Sequence, residues 1–198
     1  MYINSSMDSQ VPPTQKVDDA VGVPNRKWFV AMVGRNTEKA CRDRLTALGY
    51  ESYVATQNET RIWRTGQKKQ VERVLLSNLL FVHVTERERR DIVNLPYINY
   101  FLTDKAGHTN DFGRHPLAVI PDTQMERLQF MLYHADSPVH FTAEPLHLGD
   151  HIRVVRGHLA GLEGNVVRQG NASYLVVNLD ILGSAMVTIS PDDLEKIA

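Results

Sequence analysis

Residues 27–33, Lys-Trp-Phe-Val-Ala-Met-Val, form an almost unbroken apolar run between Arg26 and Gly34, which suits a central strand buried on both faces. Asn36 or Thr37 can then cap a helix whose apolar positions, Ala40/Cys41, Leu45 and Leu48, keep to one stripe, with Gly49 as its stop. On that stripe Cys41 reads as a small packing residue. Tyr50–Ala55 is strand material, and the polar stretch Arg61–Lys69 predicts a long hairpin turning at Thr65-Gly66-Gln67. Val71–Leu76 and Leu79–Val84 are strands separated by the turn formers Ser77-Asn78. Thr85-Glu86-Arg87-Glu88 is a capping box that opens a short helix, which Pro96 ends. Tyr97–Leu102 gives another strand and 103–115 an exposed loop. Pro121 and Asp122 open a third helix with Met125, Leu128 and Met131/Leu132 on one face. This order predicts an α+β sheet domain over 26–134.

The flanks have a different texture. Residues 1–25 are rich in Ser, Gln, Asp and Pro, with no aromatic after Tyr2, and read as a disordered tail. Residues 135–146 carry Pro138 and Pro145 with little periodicity and read as a linker. From 147 to 198 short strands follow closely: His151–Arg156, Gly164–Gln169, Ser173–Asp180 and Met186–Ile189. Gly157, Gly161, Gly170-Asn171 and Gly183-Ser184 separate them. That spacing predicts a small β-barrel with Ile152, Val154, Val166, Leu175 and Val177 in its core.

Composition narrows the class. With 42% apolar and 23% charged residues in 198, the chain is neither collagen-like, coiled-coil nor wholly disordered. Its single cysteine cannot form an internal disulfide, which favours a reducing compartment. No apolar run approaches the roughly 18–20 residues that span a bilayer, and the first 25 residues lack the apolar core of a signal peptide. The expectation is a cytoplasmic protein without a membrane partner. The net charge of −1 hides an arrangement: −2 over 1–25, +6 over 26–115 and −5 over 116–198. A basic first half joined to an acidic second half suggests two surfaces for different partners.

Candidate chemistry is sparse. His147 and His151 have an H-x3-H spacing, but Gly149 between them favours a turn, and no Cys pair or H-E-x-x-H accompanies them, so no metal site is expected. No G-x-S-x-G elbow, P-loop or G-x-G-x-x-G is present, so neither an enzyme nor a cofactor is expected. Arg61, Arg64, Lys68, Lys69 and Arg73 concentrate around the hairpin with Trp63 among them. That is either a nucleic-acid-facing tip or a plain solvated hairpin face.

Leu148-Gly149-Asp150-His151-Ile152-Arg153-Val154-Val155-Arg156-Gly157 and its continuation to Gly161 and Gly164 resemble a KOW motif, the short SH3-like barrel signature of NusG-type transcription factors and some ribosomal proteins. Lys27-Trp28-Phe29-Val30, the basic hairpin and Leu75-Leu76-Ser77-Asn78-Leu79-Leu80-Phe81-Val82 are similar to the NusG amino-terminal domain. Phe81-Val82-His83-Val84, Val119-Ile120-Pro121-Asp122 and Leu179-Asp180-Ile181-Leu182-Gly183 resemble most the UpxY-type paralogues encoded at capsular polysaccharide loci of Bacteroides-like bacteria. The resemblance implies a monomeric, non-catalytic antiterminator that sits on the RNA polymerase clamp through a hydrophobic depression. Leu76 and Leu79 match the positions flanking that family's Pro-Gly pair, with Trp28, Phe29, Phe81, Tyr97 and Phe101 as contributors or core. It also implies docking of a ribosomal protein or Rho by Ile181-Leu182; a hybrid expectation adds contact of the basic hairpin with non-template DNA or nascent RNA while the depression holds polymerase. Two departures stand out: Ser77-Asn78-Leu79 replaces Pro-Gly-Tyr, and Ile181-Leu182-Gly183-Ser184 replaces Ile-Phe-Gly-Arg. The competing expectation is an RNA- or ribosome-binding KOW module without polymerase contact.

Overall fold

The computed structural model describes residues 24–143 and 149–197; the tail expected over 1–25, except Pro24 and Asn25, and His147 lie outside the described residues. In the first part of the chain β1 (Lys27–Val33), α1 (Glu38–Ala47), β2 (Glu51–Tyr53), β3 (Thr56–Ile62), β4 (Lys68–Val74), β5 (Leu79–Val84), α2 (Glu86–Ile92), β6 (Ile98–Phe101), β7 (Val119–Ile120) and α3 (Asp122–His134) follow one another. The apolar run does form the centre of its sheet, in the order β2-β5-β1-β6, with β7 also paired to β1. All these pairings are antiparallel.

Strand alternation sends successive side chains of β1 to opposite faces. Phe29, Ala31 and Val33 pack with Cys41 and Leu45 of α1 and Ile92 of α2. Trp28 and Val30 pack with Ile120 and with Met125 and Leu128 of α3. Helices on both faces explain why the strand needs no polar side. Thr85 and Glu88 form the expected capping box, with Glu88 N–H donating to Thr85 Oγ1 at 3.3 Å and Thr85 N–H donating to Glu88 Oε2 at 2.8 Å. Leu48 departs from the predicted stripe: α1 ends at Ala47, and Leu48, its C-cap, is 57% exposed. β3 and β4 form their own two-stranded ribbon, paired from Thr56↔Val74 to Ile62↔Lys68.

In the second part β8 (His140–Thr142), β9 (His151–Val154), β10 (Glu163–Gln169), β11 (Ala172–Leu179), β12 (Gly183–Ile189) and β13 (Leu194–Lys196) build one antiparallel sheet in the order β13-β9-β10-β11-β12-β8. The expectation of a closed barrel is corrected here. Closure requires the end strands to pair, and among the described residues β13 and β8 remain open ends of the path. The segment read as a linker also carries β8, with Phe141 opposite Ala185. It is fastened further by Gln57, whose Nε2 donates to the carbonyls of Ala135 and Ser137 at 3.4 and 2.8 Å while its Oε1 accepts Val139 N–H at 2.9 Å. Gly149, at φ +125°, has no room for a side chain, because a Cβ would lie 1.7 Å from the Val166 carbonyl.

Helix α3 joins the two sheets. The apolar cluster on its side of the first sheet continues into Leu175, Leu179, Ala185 and Val187 of the second. At the rim Arg127 Nη2 meets Glu163 Oε2 at 3.0 Å, and Arg153 meets Glu163 Oε1 at 2.6 Å. The hydrogen bond from Arg153, then the charges of Arg153 and Arg127, hold the Glu163 carboxyl below its ordinary range. His158 also contacts Asp136. Among the described residues no helix is long and apolar enough to cross a membrane.

Candidate functional site

The turn at Ser77-Asn78 connects Leu76 to Leu79, and both leucines are half-buried. Asn78 takes a left-handed conformation, φ +66°, which Asn tolerates better than most residues. Its backbone and side chain together complete the pair with β1: Val33 N–H donates to Asn78 O at 2.9 Å, and Asn78 Nδ2 donates to Val33 O at 3.2 Å. Glu38, in the first turn of α1, is only 3% exposed and accepts Asn78 N–H at 2.8 Å and Asn36 N–H at 3.3 Å. A buried carboxylate thus pins the turn to the helix. An acid at a helix start reads from sequence as a dipole partner, so this tether was not legible.

Register decides what surrounds Leu79. It lies opposite Met32 of β1, which lies opposite Tyr100 of β6, and directly opposed residues of an antiparallel pair share a face. Leu79, Met32 and Tyr100 therefore make a row across three strands. Met32 is half-buried and Tyr100 is 52% exposed. Sequence reading missed Met32 and Tyr100. The alternation of β6 could have placed Tyr100 opposite Phe101, but only the register puts it beside Leu79.

The other apolar candidates separate. Trp28 and Phe81 share the face of Leu79, but both are core residues; Trp28 stacks on His83 at 4.8 Å, and Phe81 packs near Tyr53. Phe29 and Phe101 lie on the opposite face, edge to face at 6.1 Å, with the Arg89 guanidinium 5.4 Å from the Phe101 ring. Tyr97 is on that side as well, its carbonyl near Cys41 Sγ and its ring under Arg44 at 5.3 Å.

The basic candidates lie along the ribbon. Arg61 and Arg73 flank Glu59 at 3.5 and 3.9 Å, while Arg64, Lys68 and Lys69 are exposed at the tip. The turn is wider than the predicted three residues, with Trp63 N–H donating to Gln67 O at 3.0 Å and Gly66 N–H to Trp63 O at 2.8 Å. At the ribbon's base Glu72 is opposed by burial, which would raise it. The hydrogen bonds from Thr56 and Lys39 and the charges of Lys39 and Arg42 outweigh that and hold its carboxyl below the ordinary range.

In the second sheet Gly157 and Gly161 occupy positive φ, and Gly164 lies tight against Val176. Asp150 accepts Lys196 Nζ at 2.7 Å. Ile181 and Leu182 are half-buried; Leu182 packs on the shared core, and Asp180 N–H donates to Gln124 Oε1 of α3 at 3.1 Å. Ser184 is buried and donates to Asn178 at 2.6 Å, in a place with no room for an arginine.

Residues 26–129 match the protein family described as "Transcription termination factor nusG". Among solved structures the chain is similar to one described as "Domain interaction in Thermotoga maritima NusG", at 13% identity over 88% of this chain and 98% of that one, with a TM-score of 0.44. It is also similar to conformations A and B of the MjSpt4:Spt5 complex, each at 12% identity over 86% of this chain, covering 98% and 97% of those chains with TM-scores of 0.28. No curated protein matches the chain by sequence.

Proposed function

This chain belongs to the NusG family, and from that premise we propose that it is a non-catalytic factor that binds elongating RNA polymerase and promotes read-through of terminators. The observation that carries the reading is the family match over 26–129, the residues that build the sheet bearing the apolar row. Leu76 and Leu79 flank the turn at the place of the family's Pro-Gly pair, and Met32 and Tyr100 extend the same face toward solvent. A half-exposed apolar row beside a rigid turn offers the clamp a surface whose burial favours association. To act on elongation, the factor must bind the closed, processive polymerase more tightly than the paused one, since only differential binding shifts that equilibrium.

The finer reading is a specialised paralogue of the UpxY type, acting at one operon such as a polysaccharide locus. Its support is the resemblance of residues 81–84, 119–122 and 179–183. We read 26–134 as the polymerase-binding domain and 147–198 as a KOW module. The replaced Phe and Arg at Leu182 and Ser184 favour a partner other than a ribosomal protein or Rho.

Transcription in vitro across an intrinsic terminator tests the direction of action. With the full chain added to bacterial polymerase, read-through is expected to rise, and Tyr100→Glu is expected to abolish the rise. Increased termination, or no change, would overturn the antitermination reading.

A further inference from the structure

Between β6 and β7 the chain leaves the first sheet as a finger, residues 103–117. Paired backbone closes its base: Thr103 bridges Leu117, and Asp104 N–H donates to the Pro116 carbonyl at 2.9 Å. The shaft is braced from within. Asp104 Oδ1 accepts Ala106 N–H at 2.9 Å, and Gly107 lies so close to Pro116 that a Cβ would meet the proline ring at 2.5 Å. At the tip Asn110 N–H donates to Arg114 O at 2.9 Å, while Asn110 Oδ1 accepts the backbone N–H groups of Phe112 and Arg114 at 3.1 and 2.9 Å. Gly113 supplies the positive φ, +71°, that this turn requires. The fastened tip carries Phe112, which is 87% exposed; among the described residues no large apolar side chain is more so. Phe112 belongs to neither apolar cluster, so its ring contributes nothing to the fold. Lys105 and Arg114 are exposed as well, and among the described residues no carboxylate lies within ion-pair distance of either.

We infer that Phe112 is an anchor that docks into an apolar pocket of RNA polymerase, with carboxylates at the pocket's rim meeting Lys105 and Arg114. Position argues for that partner. β6 carries Tyr100 of the apolar row, and the finger begins three residues later, so a partner seated on the row has the finger beside it. A preformed loop that presents one aromatic ring loses little conformational freedom on docking, and buried aromatic anchors carry a large share of binding energy. Other occupants fit less well. Asp111 adjoins Phe112 and would set a carboxylate against the phosphates of any strand stacked on the ring. A lipid surface would have to take up that same carboxylate with a single ring to offset it. This docking deepens the polymerase reading and rests on it.

The test measures the affinity of the full chain and its variants for a bacterial RNA polymerase elongation complex, and cross-links the complex by light from Phe112→p-benzoylphenylalanine. Phe112→Ala is expected to weaken affinity about 10- to 150-fold, the worth of burying one such ring, with Phe112→Leu in between. Asn110→Ala, which loosens the tip and leaves the ring, is expected to weaken it less, and Asn110→Asp, which keeps the acceptor, is expected to restore it. Lys105→Ala/Arg114→Ala is expected to flatten the salt dependence of association. The cross-link is expected on a polymerase subunit. Melting temperature is expected to stay unchanged in the Phe112 variants because the ring is exposed. Binding of the unaltered chain with equal affinity of Phe112→Ala overturns this inference and leaves the polymerase reading standing. Cross-linking only to nucleic acid, or only to a second copy of the chain, does the same. No binding by the unaltered chain overturns the polymerase reading and this docking with it.

Discussion

Glu38 and Tyr53 show how single side chains set the site. Removing the Glu38 carboxylate leaves the partly buried Asn78 N–H without its partner, a loss of about 1 kcal/mol. Glu38→Ala is therefore expected to lower the denaturation midpoint by that amount and to weaken any function of the Leu76–Leu79 turn. Glu38→Gln, which keeps an acceptor, is expected to retain most of both, and equal losses from the two would contradict the tether. Tyr53 is pushed up from the ordinary 10.0 to about 12, first by burial and then by the charge of Glu72. A raised phenol favours its neutral form, so its contribution to stability is complete below about pH 10 and lost as pH climbs toward 12. Burial also raises Tyr97, so ultraviolet titration is expected to find more than one of the seven tyrosines ionising late, and Tyr53→Phe is expected to remove the step near pH 12. The Thr85 capping box and the burial of Cys41 were legible because both are local patterns. Tyr100 and Met32 were not, since their meaning comes from neighbours on other strands.

At the level of elements, the strands and helices with strong periodicity followed from the sequence, including the Met125, Leu128, Met131 and Leu132 face of α3. The segment 135–146 did not. Pro138 and Pro145 speak for a linker, and a strand of three residues has no periodicity to oppose them. What makes β8 a strand is the edge of β12, some forty residues later. Gly183 permits that pairing, because at φ +93° a Cβ would lie 2.1 Å from the Thr142 carbonyl. Gly183→Ala is expected to loosen β8, costing about 1–3 kcal/mol and raising amide exchange at residues 140–142. Unchanged exchange there would mean that β8 holds without this close approach. The cap of α2 gives a smaller effect: Thr85→Ala is expected to cost about 1 kcal/mol, read as a lower melting temperature.

Across the whole molecule, a basic segment over 26–115 is followed by an acidic one over 116–198, and α3, which belongs to the acidic segment, joins the two sheets, with Arg127 and Glu163 at the rim. The charge asymmetry was visible in the sequence, but the open six-stranded sheet was not, because turn spacing counts strands without saying whether the ends pair. The apolar row and the basic tip both belong to the 26–134 part of the chain. Retention of bacterial RNA polymerase by the immobilised full chain, beside its Leu79→Glu and Tyr100→Glu variants, tests the central claim most directly. The account predicts retention by the unaltered chain and its loss in both variants, with Tyr100→Glu melting as the parent does because its side chain is half exposed. Retention that survives both substitutions, or no retention by the unaltered chain, would contradict it.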